Sequence, residues 1–235
     1  MTPKPSWRRR RRFSARREIV LGLAAYAVYL LVRAAVGDER GRERAARNAR
    51  RIVAVERRLG IHVEPALQRV LVPRRRRLLG VLNVGYVTLN VALTVGTLMR
   101  MFFRRDPAFH RTRRATVIGM LAAQPIFLLF PLEPPRKLEY LVDTIEEVTG
   151  LDLDSGLVVR LYNPIAAMPS IHMVFAVCTT AGVRASSEAP VVRLLAFAYP
   201  PAVAFTVLVT ANHYLLDVMA GTALALAALR ASAPR

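Results

Sequence analysis

Two of the four histidines in this 235-residue chain stand at the edges of apolar runs. His213 lies in Asn212-His213-Tyr214-Leu215-Leu216-Asp217, and its i, i+4 spacing from Asp217 puts the two on one face of a helix. A carboxylate so placed can accept a hydrogen bond from one imidazole nitrogen, fix the tautomer and leave the other nitrogen as nucleophile or base. His172 lies in Met168-Pro169-Ser170-Ile171-His172. Proline suits the first turn of a helix. A helix beginning here would present Ser170 and free backbone N–H groups to an anion, with His172 in reach to protonate a leaving oxygen. A third polar cluster, Pro134-Pro135-Arg136-Lys137, supplies two cations able to clamp a phosphate. Each cluster also has a plainer reading: the His–Asp pair could tie two helices together, and Arg136 and Lys137 could anchor a helix end at a lipid interface.

These clusters must be positioned by apolar segments. Six such runs span residues 19–36, 78–98, 115–132, 168–183, 191–211 and 214–229. A spanning helix needs ~20 mostly apolar residues, with a tolerance of a few. The fold expected is therefore all-α, a polytopic membrane helical bundle of about six transmembrane helices. Alternating the six passes places His172, His213 and the Arg136 cluster at the same membrane face. Asp217 is the only acidic residue inside any run, and an intramembrane carboxylate is costly enough to suggest function. Residues 38–77 add an amphipathic segment in which Ala45, Ala46, Ile52, Val53, Val55, Leu59 and Ile61 recur among arginines. It lies along the membrane surface or packs against the bundle. The expected organisation is a basic cytoplasmic tail over 1–17 and a membrane domain over 18–235.

Composition agrees with this division. The formal charge is +19, from 35 Lys+Arg against 16 Asp+Glu, while 54% of residues are hydrophobic. Charge and apolar surface must be segregated, which excludes a disordered basic protein. The arginine run Arg8 to Arg12 has little aromatic interleaving, so it reads as a membrane anchor and not as a nucleic-acid patch. One cysteine, Cys178, excludes a disulfide scaffold. Counting basic residues by side gives 18 on the side of both termini and 16 on the other. The polyarginine start places the termini in the cytoplasm and the site facing outward.

Met168-Pro169-Ser170-Ile171-His172 resembles the Pro-Ser-x-His motif of the type 2 phosphatidic acid phosphatase superfamily, and His213-Tyr214-Leu215-Leu216-Asp217 its last motif. The stretches 163–172 and 212–221 are most similar to the branch containing inositol phosphorylceramide synthases, an inositolphosphotransferase branch with bacterial relatives. The resemblance covers roughly 115–225. It implies metal-independent phosphoryl transfer from a lipid-linked phosphate ester. His213 would form a phosphohistidine, Asp217 would orient it, His172 would protonate the leaving group, and Ser170 and Arg136 would hold the phosphate oxygens. The first motif departs from the superfamily pattern: Leu129 stands at its lysine position and Lys137 follows Arg136 where proline is expected, so Lys137 would supply the missing charge. Val207 occupies a position where the phosphatases carry arginine, which leans toward transfer to an alcohol such as inositol. A strict lipid phosphate or pyrophosphate phosphatase is the alternative.

The partners implied are a membrane and a lipid substrate, either a phospholipid or a polyprenyl phosphate; no nucleic acid, cofactor or metal is expected. Three rivals of other classes stand beside this reading. His172, His213 and Asp217 could form a two-histidine, one-carboxylate metal set, but Ser170 and Arg136 have no role in it. A transporter would account for intramembrane charge, but no inverted repeat is visible. The third is a non-catalytic membrane scaffold.

Overall fold

The computed structural model describes residues 13–150 and 163–233. The arginines Arg8 to Arg12 and the acidic residues Asp152 and Asp154 lie outside the described residues.

Helix α1 (Ala15–Val36) carries an apolar surface around its whole circumference, with Ile19, Leu23 and Leu31 exposed. Such a helix is suited to lipid. Helix α2 (Glu39–Leu59) starts where Asp38 Oδ1 accepts the Gly41 N–H at 2.8 Å and ends at Gly60, whose φ of +69° is readily adopted by glycine. Its stripe of Ala45, Ala49, Ile52 and Val53 is buried, and part of it packs on Leu132, Ala167 and Tyr214. Of the two placements open to the amphipathic segment, this face thus rests on protein. Helix α3 (Glu64–Leu71) follows, with Pro65 in its first turn.

Helix α4 (Arg76–Val84) runs through one π-turn (Gly85–Leu89) into α5 (Asn90–Phe103). Helix α6 (Phe109–Leu129), a short 3₁₀ turn (Pro135–Lys137) and α7 (Thr144–Thr149) lead to three closely packed helices: α8 (Ile171–Ser186), α9 (Pro190–Val209) and α10 (Leu215–Ala231).

Among the described residues, three helices are long and apolar enough to cross a membrane: Ala15–Val36, the continuous 28-residue rod Arg76–Phe103, and Pro190–Val209. The sequence led us to expect about six. The other three fall short for physical reasons. Helix α6 carries His110, Arg111, Arg113 and Arg114 in its first two turns, while α8 and α10 have only 16 and 17 residues, against the ~20 a span needs.

Helix α8 is the centre of the bundle, touching α5, α6, α9 and α10. Its inward residues Val174 and Cys178 pack with Ala115, Ala225 and Ala228, so Cys178 serves as a small buried apolar group. Hydroxyl pairs supplement this packing: Thr179 Oγ1 lies 3.0 Å from Thr94 Oγ1, and Thr180 donates to the Ala196 carbonyl at 2.7 Å.

The crossing of α8 and α10 depends on Gly221. A Cβ there would lie 2.3 Å from the Ser170 carbonyl oxygen and 3.1 Å from its carbon. Both are backbone atoms, so no rotamer change relieves the clash. Gly221→Ala should therefore cost about 1–3 kcal/mol, measured as a lower thermal-inactivation midpoint in detergent. The same substitution at Gly22, inside α1 where nothing lies within 4 Å, should leave that midpoint unchanged or slightly raised, since alanine favours the helix.

Candidate active site

The site assembles where α8 begins and where the chain turns from α9 into α10. Val209 ends α9, and Ala211 takes the left-handed conformation (φ 52°). The Val207 carbonyl accepts the N–H groups of both Asn212 and His213, at 2.9 and 3.1 Å. This corner aims His213 inward, where it is 4% exposed.

The hydrogen bond that sets the His213 tautomer goes to the backbone. Nδ1 lies 2.8 Å from the Ala167 carbonyl oxygen. A carbonyl only accepts, so Nδ1 carries the hydrogen and the lone pair is on Nε2. The expected partner, Asp217, stands farther off: its Oδ2 is 3.5 Å from Nδ1. That oxygen accepts the Tyr214 N–H at 2.9 Å and so caps the first turn of α10. Asp217 is fully buried and places its carboxyl group beside the ring while it holds the helix start.

His213 Nε2 faces His172 Nδ1 at 3.3 Å, across 41 residues of sequence. The His172 ring stacks on Tyr86 with centroids 4.4 Å apart. The His172 carbonyl accepts from Asn90 Nδ2 at 3.2 Å, and the same nitrogen reaches Tyr199 Oη at 3.0 Å. Ser170 is the N-cap of α8: its Oγ accepts the Met173 N–H at 3.4 Å, and its own N–H donates to the Asp217 carbonyl at 3.1 Å. The two motifs are thus joined through backbone as well as through imidazoles.

Arg136 is buried, and its Nη1 pairs with Asp143 Oδ2 at 2.7 Å. Its backbone N–H donates to the Ala211 carbonyl at 2.7 Å, which fastens the 3₁₀ turn to the corner bearing His213. Lys137, one residue on, is exposed. Leu129, at the position of the superfamily's lysine, is 76% exposed and offers no charge to the site, whereas Val207 is 1% exposed within the core.

Several residues that shape the site escaped the sequence reading. Ala167 acts through its carbonyl, and a backbone acceptor has no side-chain signature. Tyr86 and Asn90 come from the second apolar run, where nothing in the spacing points to His172. Glu56 and Glu64 are both fully buried; Glu56 Oε1 accepts the Leu216 N–H at 2.8 Å and Glu64 Oε1 the Leu215 N–H at 2.9 Å. Here a signal existed: Glu56 continues the buried stripe of Ala49, Ile52 and Val53 at helical spacing. An open groove of about 400 Å³, lined by Val177, Thr180, Phe197, Pro201 and Leu226, lies along the later turns of α8 and is separate from the histidines.

Among the described residues, an all-helical bundle with three membrane-length apolar helices brings a buried histidine and a half-buried one together beside a helix N-terminus, a polar site among its helices. The PAP2 superfamily profile matches residues 50–231, and the chain belongs to that superfamily. No curated protein and no solved structure shows a significant match to the chain. Membership suggests phosphatase or phosphotransferase activity on lipid phosphates.

The geometry separates two contributions of Asp217. Asparagine keeps a side-chain oxygen able to accept the Tyr214 N–H, so Asp217→Asn should keep the fold, with a thermal midpoint close to wild type. It removes the negative charge beside His213, and turnover of a lipid phosphate should fall by about 10²-fold or more. Paired thermal and steady-state measurements check both halves.

Proposed function

We propose that the chain is an integral membrane enzyme that transfers a phosphoryl group from a lipid-linked phosphate ester through a phosphohistidine. The observation that carries this reading is the 3.3 Å approach of His213 Nε2 to His172 Nδ1, with His213 Nδ1 held by a carbonyl. A ring held in that tautomer carries its lone pair on Nε2, the nitrogen that attacks phosphorus in this reading. His213 Nε2 attacks phosphorus, the bond to the lipid alcohol breaks, and His172 passes its proton to the departing oxygen. An incoming hydroxyl then attacks the phosphorus–nitrogen bond and returns a proton to His172. Asp217 stabilises the charge on His213. The first turn of α8 around Ser170, together with Arg136, holds the phosphate oxygens, and Lys137 adds charge at the edge. No metal enters these steps.

The acceptor in this reading is an alcohol such as inositol. Val207 supports transfer over hydrolysis, because it leaves an apolar core where the phosphatase motif has a cation. The bundle crosses the membrane six times, with α6, α8 and α10 as inner passes shielded by the other three. Both termini are cytoplasmic, the site faces outward, and the lipid tail stays in the outer leaflet.

His213→Ala should abolish turnover of a phospholipid or polyprenyl phosphate. It should also abolish the acid-labile phosphoenzyme that wild type accumulates in a rapid quench with ³²P-labelled substrate. Near-normal rates in this variant would remove His213 as the nucleophile. Adding inositol to the wild-type reaction should divert label from free phosphate to a phosphorylated polyol; label in free phosphate alone would assign a strict phosphatase.

A further inference from the structure

A second cluster of ionisable groups lies behind the histidine pair, and its chemistry is not used by phosphoryl transfer. Glu56 in the last turn of α2, His62 in the following connection and Glu64 at the start of α3 converge on one point. Glu56 Oε2 lies 3.2 Å from His62 Nδ1 and Glu64 Oε2 lies 3.0 Å from the same nitrogen. One oxygen from each glutamate and that nitrogen all lie within 4.8 Å of one another. Both glutamate side chains are inaccessible, and that of His62 is 8% exposed.

Hydrogen bonding alone does not satisfy this arrangement. An imidazole nitrogen carries at most one hydrogen, yet two carboxylate oxygens face Nδ1. The contact to Glu56 is a hydrogen bond, whereas Glu64 Oε2 is buried without a hydrogen-bond partner. Charge is also out of balance. His62 is the only ion-pair partner of either glutamate among the described residues, and the carboxylate of Asp217 stands in the adjoining turn of α10. The start of α10 offers roughly half a positive charge against three carboxylates.

We propose that Glu56, His62 and Glu64 bind a divalent transition-metal ion of the zinc type. Zinc takes imidazole nitrogen and carboxylate oxygen at about 2.0–2.2 Å, which puts neighbouring ligand atoms about 3.4 Å apart at tetrahedral angles. The contacts of 3.0 and 3.2 Å need only slight opening. The outer contacts are those that metal ligands use. Each glutamate has its other oxygen fixed by a backbone N–H, from Leu215 or Leu216, and His62 Nε2 lies 3.2 Å from Tyr140 Oη. With Nδ1 on the metal, the imidazole hydrogen sits on Nε2 and donates to that hydroxyl. The ion would tie the end of α2 to the start of α3, with its fourth position left to water, and so steady the two glutamates that hold the first N–H groups of α10. It is distinct from any set built on His172, His213 and Asp217, and it does not rest on the phosphoryl-transfer reading.

The test uses the full-length chain in detergent without a polyhistidine tag. Elemental analysis after purification in zinc-supplemented buffer should find about one zinc per chain. Chelation should remove it and lower the thermal midpoint by several degrees, and added ZnCl₂ should restore that midpoint. Glu64→Gln should weaken zinc binding at least tenfold in a competition titration, with His62→Ala losing more. Absence of stoichiometric zinc, or a thermal midpoint insensitive to chelator and ZnCl₂, would overturn the proposal. So would a higher midpoint in Glu64→Gln than in zinc-treated wild type. That result would mean that the buried carboxylate is an uncompensated charge and not a ligand.

Discussion

The last helix begins inside the protein, and its first backbone N–H groups have no partners within the helix. In an apolar setting each must find an acceptor or cost several kcal/mol. Tyr214 N–H is met by Asp217, Leu215 N–H by Glu64 and Leu216 N–H by Glu56. Two of these acceptors come from a segment about 150 residues earlier in the chain. This requirement draws the arginine-rich amphipathic segment into the bundle. It holds α10 at a fixed depth, and with it the corner that aims His213. The Asp217 carbonyl then binds the Ser170 N–H, so the start of α8 is fixed by the start of α10.

The histidine pair is positioned by backbone more than by side chains. Ala167, Asp217 and Val207 act on the site through their carbonyls, and Gly221 acts by having no side chain at all. Side chains enter at the outer edge, where Tyr86 stacks on His172 and Arg136 pairs with Asp143. A scaffold of this kind keeps two imidazoles in register without placing competing charges between them.

Much of the site was legible because its residues combine a rare type with a fixed position. A histidine four residues before the only acidic residue in an apolar run, and a Pro-Ser pair at a run's edge, are conspicuous in one dimension. Apolar runs likewise located the main helices, since they report burial directly. What escaped was relational. The count of membrane-length helices differed because composition does not say where a helix begins. Helix α6 takes up His110 and three arginines ahead of its apolar part, and α8 starts only after Ser170. The amphipathic segment had two possible seats, and only the acceptor role of Glu56 and Glu64 distinguishes them. The tautomer partner of His213 was assigned to the carboxylate one helical turn away, but Tyr214 N–H holds that oxygen and a carbonyl 46 residues back takes its place.

Val207 carries an evolutionary consequence. Its side chain is buried with Met173, Ala176, Val203 and Val218, while its carbonyl fixes both Asn212 and His213. An arginine cannot enter this packed core by a single substitution. The guanidinium would enter an apolar cluster without a partner, at an effective cost of several kcal/mol, and would disturb the residue that orients the corner bearing His213. Reversal requires neighbouring core positions to open first, each step destabilising on its own. The apolar choice at this position thus acts as a ratchet that commits descendants of this chain to whatever chemistry the site now performs.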